Sequence, residues 1–292
     1  MEYRVGQLVR HPRFGLGKIL AVEAEAVRVF FKDLADNPKR ISTSFSLQIP
    51  EVQSDPWLDN LDPNITSSAP GHKHMTHEAA VQRFLSVFAQ GFHDTAYMDR
   101  ERGYKSEAHE LWVDTLGKSE FDALLAAGAY PEISRRASQV EGRTNLLSVF
   151  EKAALHDAIK GGDAAKSFAN GLHGLIYGDD SYRARFERFV EVLDGLPQPK
   201  SQVVKWPVVT IFPFLALPKE HLFLKPKVTQ EAARRRAFSL NYNPRPNWLT
   251  YSCLLKFGQT LMEDLADLKP RDMIDIQSFI WVTGEDSYKK SA

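Results

Sequence analysis

The apolar residues of this chain keep two different rhythms, and the change between them falls near residue 75. Before it, short runs rich in β-branched and aromatic residues alternate with glycine and proline. After it, apolar residues recur about every 3.6 positions. One chain of 292 residues with both patterns predicts a multidomain protein: a small all-β unit followed by a mainly α-helical body. We expect residues 1–50 to form the β unit, 51–75 a linker, 76–196 a helical domain, and 197–292 a mainly helical region packed on it.

In the first fifty residues, "VGQLVRHPRFGLGKIL" spans Val5 to Leu20. Gln7 to His11 reads as a strand closed by Pro12. Phe14-Gly15-Leu16-Gly17 reads as a turn in which glycine permits positive φ. Lys18 to Glu23 and Ala26 to Lys32 read as further strands. Lys39 to Phe45 and Leu47 to Ile49 would supply a fourth and a closing one. Four or five strands in so short a span suit a small SH3-like barrel, a closed form that leaves little edge exposed. Phe14 is expected to plug it.

These residues carry a resemblance. "VGQLVRHPRFGLGKIL", "VRVFFKD" and "KRI", with His-Pro-Arg-Phe-Gly-Leu-Gly-Lys at 11–18 as the most telling element, resemble the Tudor-like module at the C-terminal end of UvrD/PcrA-type DNA helicases. More distantly they are similar to the RNA polymerase-interacting domain of CarD-like transcription regulators. The resemblance covers Val5 to Ile49 and implies a nucleic-acid or RNA polymerase partner, not an activity. From about residue 100 to 288, "RERGYKSEAHELW", "EGRTNLLSVFEKAAL", "RPNWLTY" and "RDMIDIQSFIWV" resemble a bacterial family that implies a mainly helical fold and supplies no activity.

Ser54 to Met75 holds Asp55-Pro56, Asp62-Pro63 and Pro70-Gly71 without apolar periodicity, the mark of a connection. His72, His74 and His77 within and just after it invite a metal reading. No cysteine joins them, and a structural zinc site needs four converging ligands, so a solvated linker entering a helix is the simpler expectation. Thr76 is placed to cap that helix. Its stripe is Val81, Phe84, Leu85, Phe88 and Phe92. Comparable stripes at Tyr104–Trp112, Leu146–Ala154, Phe168–Ile176 and Tyr182–Leu193 predict a bundle of five or six helices up to Leu196. Beyond Pro197, "KWPVVTIFPFLAL" from Lys205 to Leu217 is nearly all apolar. Pro207 and Pro213 point to a buried extended segment or a broken helix. Val228 to Phe238 reads as a short helix capped by Thr229, and Asn247 as the cap of a longer one. Pro270 opens the last.

Composition narrows the function classes. Formal net charge is zero, so no global field favours nucleic acid or membrane, and any electrostatic function must be local. Residues 1–50 carry eight basic and five acidic side chains. On this unit Arg10, Arg13, Lys18, Lys39 and Arg40 are the candidate partner contacts. Residues 51–199 hold fifteen basic against twenty-three acidic, whereas 200–247 hold nine against two. That basic band includes Lys225, Lys227, Arg234, Arg235 and Arg236, with Trp206, Phe223, Tyr242 and Trp248 interleaved. Basic groups neutralise phosphates while aromatic faces stack on bases. The bland alternative packs the band against the acidic body. A single cysteine, Cys253, excludes an intramolecular disulfide and suggests a reducing, cytoplasmic setting. No run reaches the length of a membrane span.

Catalytic signals are thin. "KGGDAAKS" fails as a phosphate loop because Lys160 and Ala165 stand where glycines are needed and no strand precedes it. Asp272 and Asp275, with Gln277, resemble part of a metal-nuclease constellation but lack a companion Glu-x-Lys element. Glu101, Lys105, Glu107 and His109 could line a helical face with Tyr104. The leading expectation is a non-enzymatic accessory protein without cofactor, binding nucleic acid and/or RNA polymerase in transcription, DNA repair or phage defence. The alternatives are a metal-dependent nuclease or phosphoesterase using Asp272 and Asp275, and a protein-only scaffold.

Overall fold

The computed structural model describes residues 3–63, 74–197 and 202–288. The amino-terminal unit is an antiparallel sheet in the order β1 (Leu8–His11), β2 (Gly15–Val22), β3 (Ala26–Phe31), β4 (Lys39–Ser42). A register shift between Ile19 and Ala21 interrupts the β2–β3 ladder. After β4 the chain returns to β1, where the Arg10 and Gln48 backbones exchange hydrogen bonds of 2.8 and 3.1 Å.

The alternation of strand side chains gives this sheet two buried faces. Val9, Ile19, Val27, Val29 and Phe31 point one way and close a small core with Tyr3 and Leu47. Leu8 and Phe30 point the other way and pack on Leu58 and Ala237. The second face therefore rests on the helical body. The described part of the expected linker is anchored there: Trp57 and Leu58 are buried. Leu61 forms a β-bridge with Phe238.

The helical body runs α1 (His77–Val87), α2 (Thr95–Tyr97), a π-turn (Met98–Arg102), α3 (Gly103–Leu116), α4 (Lys118–Ala126), α5 (Tyr130–Gly142), α6 (Val149–Ala158), α7 (Gly162–Tyr177), α8 (Tyr182–Asp194), α9 (Trp206–Ala216), α10 (Pro226–Arg235), α11 (Trp248–Asp264) and α12 (Met273–Gly284). Thr76 caps α1 and Asn247 caps α11, as their side chains predict. Ser148 and Glu151 form a reciprocal capping box on α6.

Several expectations are corrected. Gly15 to Gly17, read as part of a turn, begin β2, and the turn is residues 12–14. The region 76–196, read as five or six helices, holds eight. Pro270 does not open the last helix, which Asp272 caps and Met273 begins. "KWPVVTIFPFLAL" is neither extended nor broken: Trp206–Ala216 is one helix, buried on every side and packed against α3, α5, α6 and α7. Pro207 sits in the first turn, where no N–H is required. Pro213 lies near enough to the end that only one further turn follows, closed by Leu217 N–H to Pro213 O at 2.9 Å. Thr229 caps nothing; α10 starts earlier, at Pro226, and Thr229 is buried within it.

Candidate nucleic-acid interface

Of the candidate cations on the sheet, three are engaged within the molecule. Lys18 donates to the Leu58 carbonyl at 3.0 Å and lies 3.5 Å from Asp59. Lys39 pairs with Asp36 at 2.5 Å. Arg40 shares Glu23 with Arg28, at 2.7 and 3.1 Å, and the Arg40 hydrogen bond holds that carboxyl below its ordinary value. Arg10 and Arg13 are exposed and make no ion pair among the described residues.

The basic band is turned largely inward. Lys225 reaches the Leu146 carbonyl at 3.1 Å and Glu151 at 3.3 Å. Arg234 grips both oxygens of Glu231 at 2.7 and 2.8 Å. Arg235 bridges Glu231, Asp286 and the Thr283 carbonyl. The hydrogen bonds from Arg234, with those from Arg235, draw the Glu231 carboxyl down to about 2. Arg236 is buried, its guanidinium 4.3 Å from the Trp57 ring centroid, and it donates to the Met75 carbonyl and Asp264. Burial pulls Arg236 down to about 10. Trp206 and Phe223 are buried too. Lys227 is exposed, on the rim of an open groove of about 1010 Å³. That groove also carries Arg234 but four acids, Asp62, Glu231, Glu285 and Asp286, so its charge does not favour phosphate.

Asp272 and Asp275 come together, but as the centre of an ionic network. Asp275 is fully buried and accepts from Tyr97 Oη at 2.5 Å, Arg102 Nη1 at 2.9 Å, and both the backbone N–H and Nε of Arg271 at 2.8 and 2.9 Å. Burial would raise its carboxyl, yet the hydrogen bonds from Arg271 and Tyr97 and the charge of Arg102 outweigh it and hold it low. Asp272 takes the other side of Arg102 at 2.7 and 2.8 Å and caps α12 through Ile274 N–H. The oxygens that a catalytic metal would need are committed to guanidinium and phenol donors. The pair clamps the π-turn to α12.

Other titratable groups have similar structural duties. Lys105, fully buried, bridges Glu101 at 2.9 Å and Ser278 Oγ at 3.0 Å, and Tyr288 donates to Glu101. His109 contacts the Leu215 carbonyl, His156 pairs with Glu141, and His173 with Asp122. Among the described residues no group of three His, Cys, Asp or Glu side chains is placed to hold a metal ion. His74 is buried edge-on to Phe30, and His77 lies in the first turn of α1. His72 lies outside the described residues.

At the sheet tip, sequence reasoning missed a geometry. His11 Nδ1 accepts from the backbone N–H groups of Arg13 and Phe14, fixing the β1–β2 turn. Its ring lies between Phe14, with centroids 4.3 Å apart and planes 16° apart, and Phe45, at 4.8 Å and 28°. Phe14 in turn contacts buried Phe31 at 5.3 Å. A column of rings therefore rises from the core through Phe14 and His11 to Phe45, which is 41% exposed. The Arg13 guanidinium lies 5.7 Å from the Phe14 ring. The signal for Phe45 was one aromatic set among serines and a threonine at 42–46, where nothing local calls for a large ring. No family model, curated protein or solved structure matches the chain.

Proposed function

We propose that this chain is a non-enzymatic accessory protein that binds nucleic acid or RNA polymerase, in transcription, DNA repair or phage defence, through the tip of an SH3/Tudor-like barrel at its amino end. The observation that supports this is the pairing of cations. Lys18, Lys39, Arg40, Lys225, Arg234, Arg235 and Arg236 have partners within the molecule, whereas Arg10, Arg13 and Lys227 are exposed and make no ion pair among the described residues, and Arg13 lies beside half-exposed rings. Unpaired surface guanidiniums are available to phosphates or to an acidic protein face. A binder is favoured over a nuclease because the carboxylates of Asp272 and Asp275 are occupied by Arg102 and Arg271.

The test is affinity capture of the tagged protein from cell extract, with and without nuclease, followed by identification of RNA polymerase subunits and bound nucleic acid. Capture of either, weakened by a double Arg10→Glu, Arg13→Glu exchange, is the expected result. Capture of neither, or capture unchanged by that exchange, refutes the reading.

A further inference from the structure

We infer that the ring column at the sheet tip is a stacking platform for single-stranded nucleic acid, an assignment that rests on the binding role proposed above and names the ligand. Phe14, His11 and Phe45 stack at centroid separations of 4.3 and 4.8 Å, and Phe31 braces the stack from the core, tilted against Phe14 at 5.3 Å and edge-on to His11 at 5.9 Å. His11 has a ring stacked on each side, while Phe14 stays partly exposed. Among the described residues Phe45 has one ring neighbour, His11, and it is 41% exposed. The column therefore ends on an open aromatic face, and a base placed there extends the stack by one layer. In a duplex, base faces are already covered by neighbouring pairs, so an open ring of this kind selects unpaired bases.

The charges beside the column fit an anionic chain. Arg13 stands at its foot, beside Phe14. Arg10 precedes His11 on β1, and strand alternation sets its side chain on the opposite face. The β1 edge at Arg10 is already paired with Gln48, so Arg13 is the cation beside the column and Arg10 adds positive charge on the far side of the strand. The loop bearing Phe45 adds the hydroxyls of Ser42 and Ser44, 2.8 Å apart. His11 makes the platform rigid by accepting two turn N–H groups, so little ordering entropy is lost when a base docks.

The experiment is fluorescence anisotropy of a labelled 20-nucleotide oligothymidine with the full chain, across a salt series. Phe45→Ala is expected to weaken binding at least about tenfold at fixed salt, the scale of losing one base–aromatic stack, and to leave the salt slope unchanged. Arg13→Ala is expected to flatten that slope by about 0.7, one phosphate contact on a single strand. Phe45→Trp is expected to keep the affinity and to add tryptophan fluorescence quenched by the oligonucleotide. Arg183→Ala, on α8, serves as the control and is expected to leave both quantities unchanged. Thermal melts of each variant separate loss of the ring from loss of the fold.

Duplex bound as tightly as the single strand, or Phe45→Ala binding like the wild type, overturns the platform but leaves the binding role standing. Nuclease-resistant capture of RNA polymerase without oligothymidine binding does the same. If neither oligothymidine nor polymerase binds, both readings fall.

Discussion

Asp272 and Asp275 stand three positions apart on one face of a helix start, a spacing that by itself suits a metal, a cap or an ion pair. What decides among these is Arg102, 170 positions away in sequence. No local pattern announces such a partner, so the two acids were legible as a feature and illegible as a network. His221 is a second case. It is buried, stacked on Tyr182 at 4.1 Å, with Nδ1 3.3 Å from Tyr251 Oη. Burial, with the nearby charge of Arg185, lowers it from 6.5 to about 4. Between those two values the unfolded chain binds the proton and the folded chain does not. Stability from this group is therefore present above about pH 6.5 and is lost as pH falls toward 4. From pH 7 to pH 5 the wild type should lose about 2 kcal/mol through His221. His221→Gln should lower stability at pH 7 and remove that part of the slope. Urea unfolding at the two pH values reads the difference, and equal losses in both proteins would count against the assignment.

Elements divide by how local their causes are. The strands and most helices were legible because period, caps and breakers lie within each segment. Thr76 and Asn247 cap their helices as their side chains dictate. α9 was misread because proline was weighed as a breaker without regard to position, and a helix this buried draws its stability from α3, α5, α6 and α7. Gly15 and Gly17, read together as a turn, both lie in β2, the turn being residues 12–14, and they differ in cause. Gly15 has φ +75°, which favours glycine outright. Gly17 instead has no room: a Cβ there would lie 2.6 Å from Phe31 Cδ1 and 2.7 Å from Phe30 O. Gly17→Ala must push Phe31, the base of the ring column, or move the β3 backbone. We expect it to destabilise the protein by about 1–3 kcal/mol, the usual cost of overpacking. A chemical-denaturation midpoint indistinguishable from wild type would refute the close approach.

Across the whole molecule, a chain of zero net charge spends its segmental imbalance on holding itself together. Arg245 reaches Asp194, Lys225 reaches Glu151, and Arg236 and Lys32 converge on Asp264 from the helical body and from the sheet. The centre of this joint is Trp57, from a stretch that composition marks as linker. Its Nε1 donates to the Arg236 carbonyl at 3.0 Å, its ring lies under the Arg236 guanidinium, and its edges meet Phe238 and Phe257. One buried aromatic in a polar stretch was the only hint of an anchor, and none of its partners at 236, 238 and 257 is near it in sequence. Trp57→Ala would leave a cavity, a buried carbonyl without its donor and a buried guanidinium without its ring. The expected cost is about 3–5 kcal/mol. Trp57→Phe keeps most of the packing and loses the N–H, for which about 1 kcal/mol is expected. Hydrogen exchange should then place the faster-opening amides of Trp57→Ala at Asp62 and Ser239, whose N–H groups join the two segments, ahead of those in β2 and β3. If the alanine variant loses less than the phenylalanine one, or if those two amides stay as protected as in the wild type, Trp57 is not what joins the sheet to the helices.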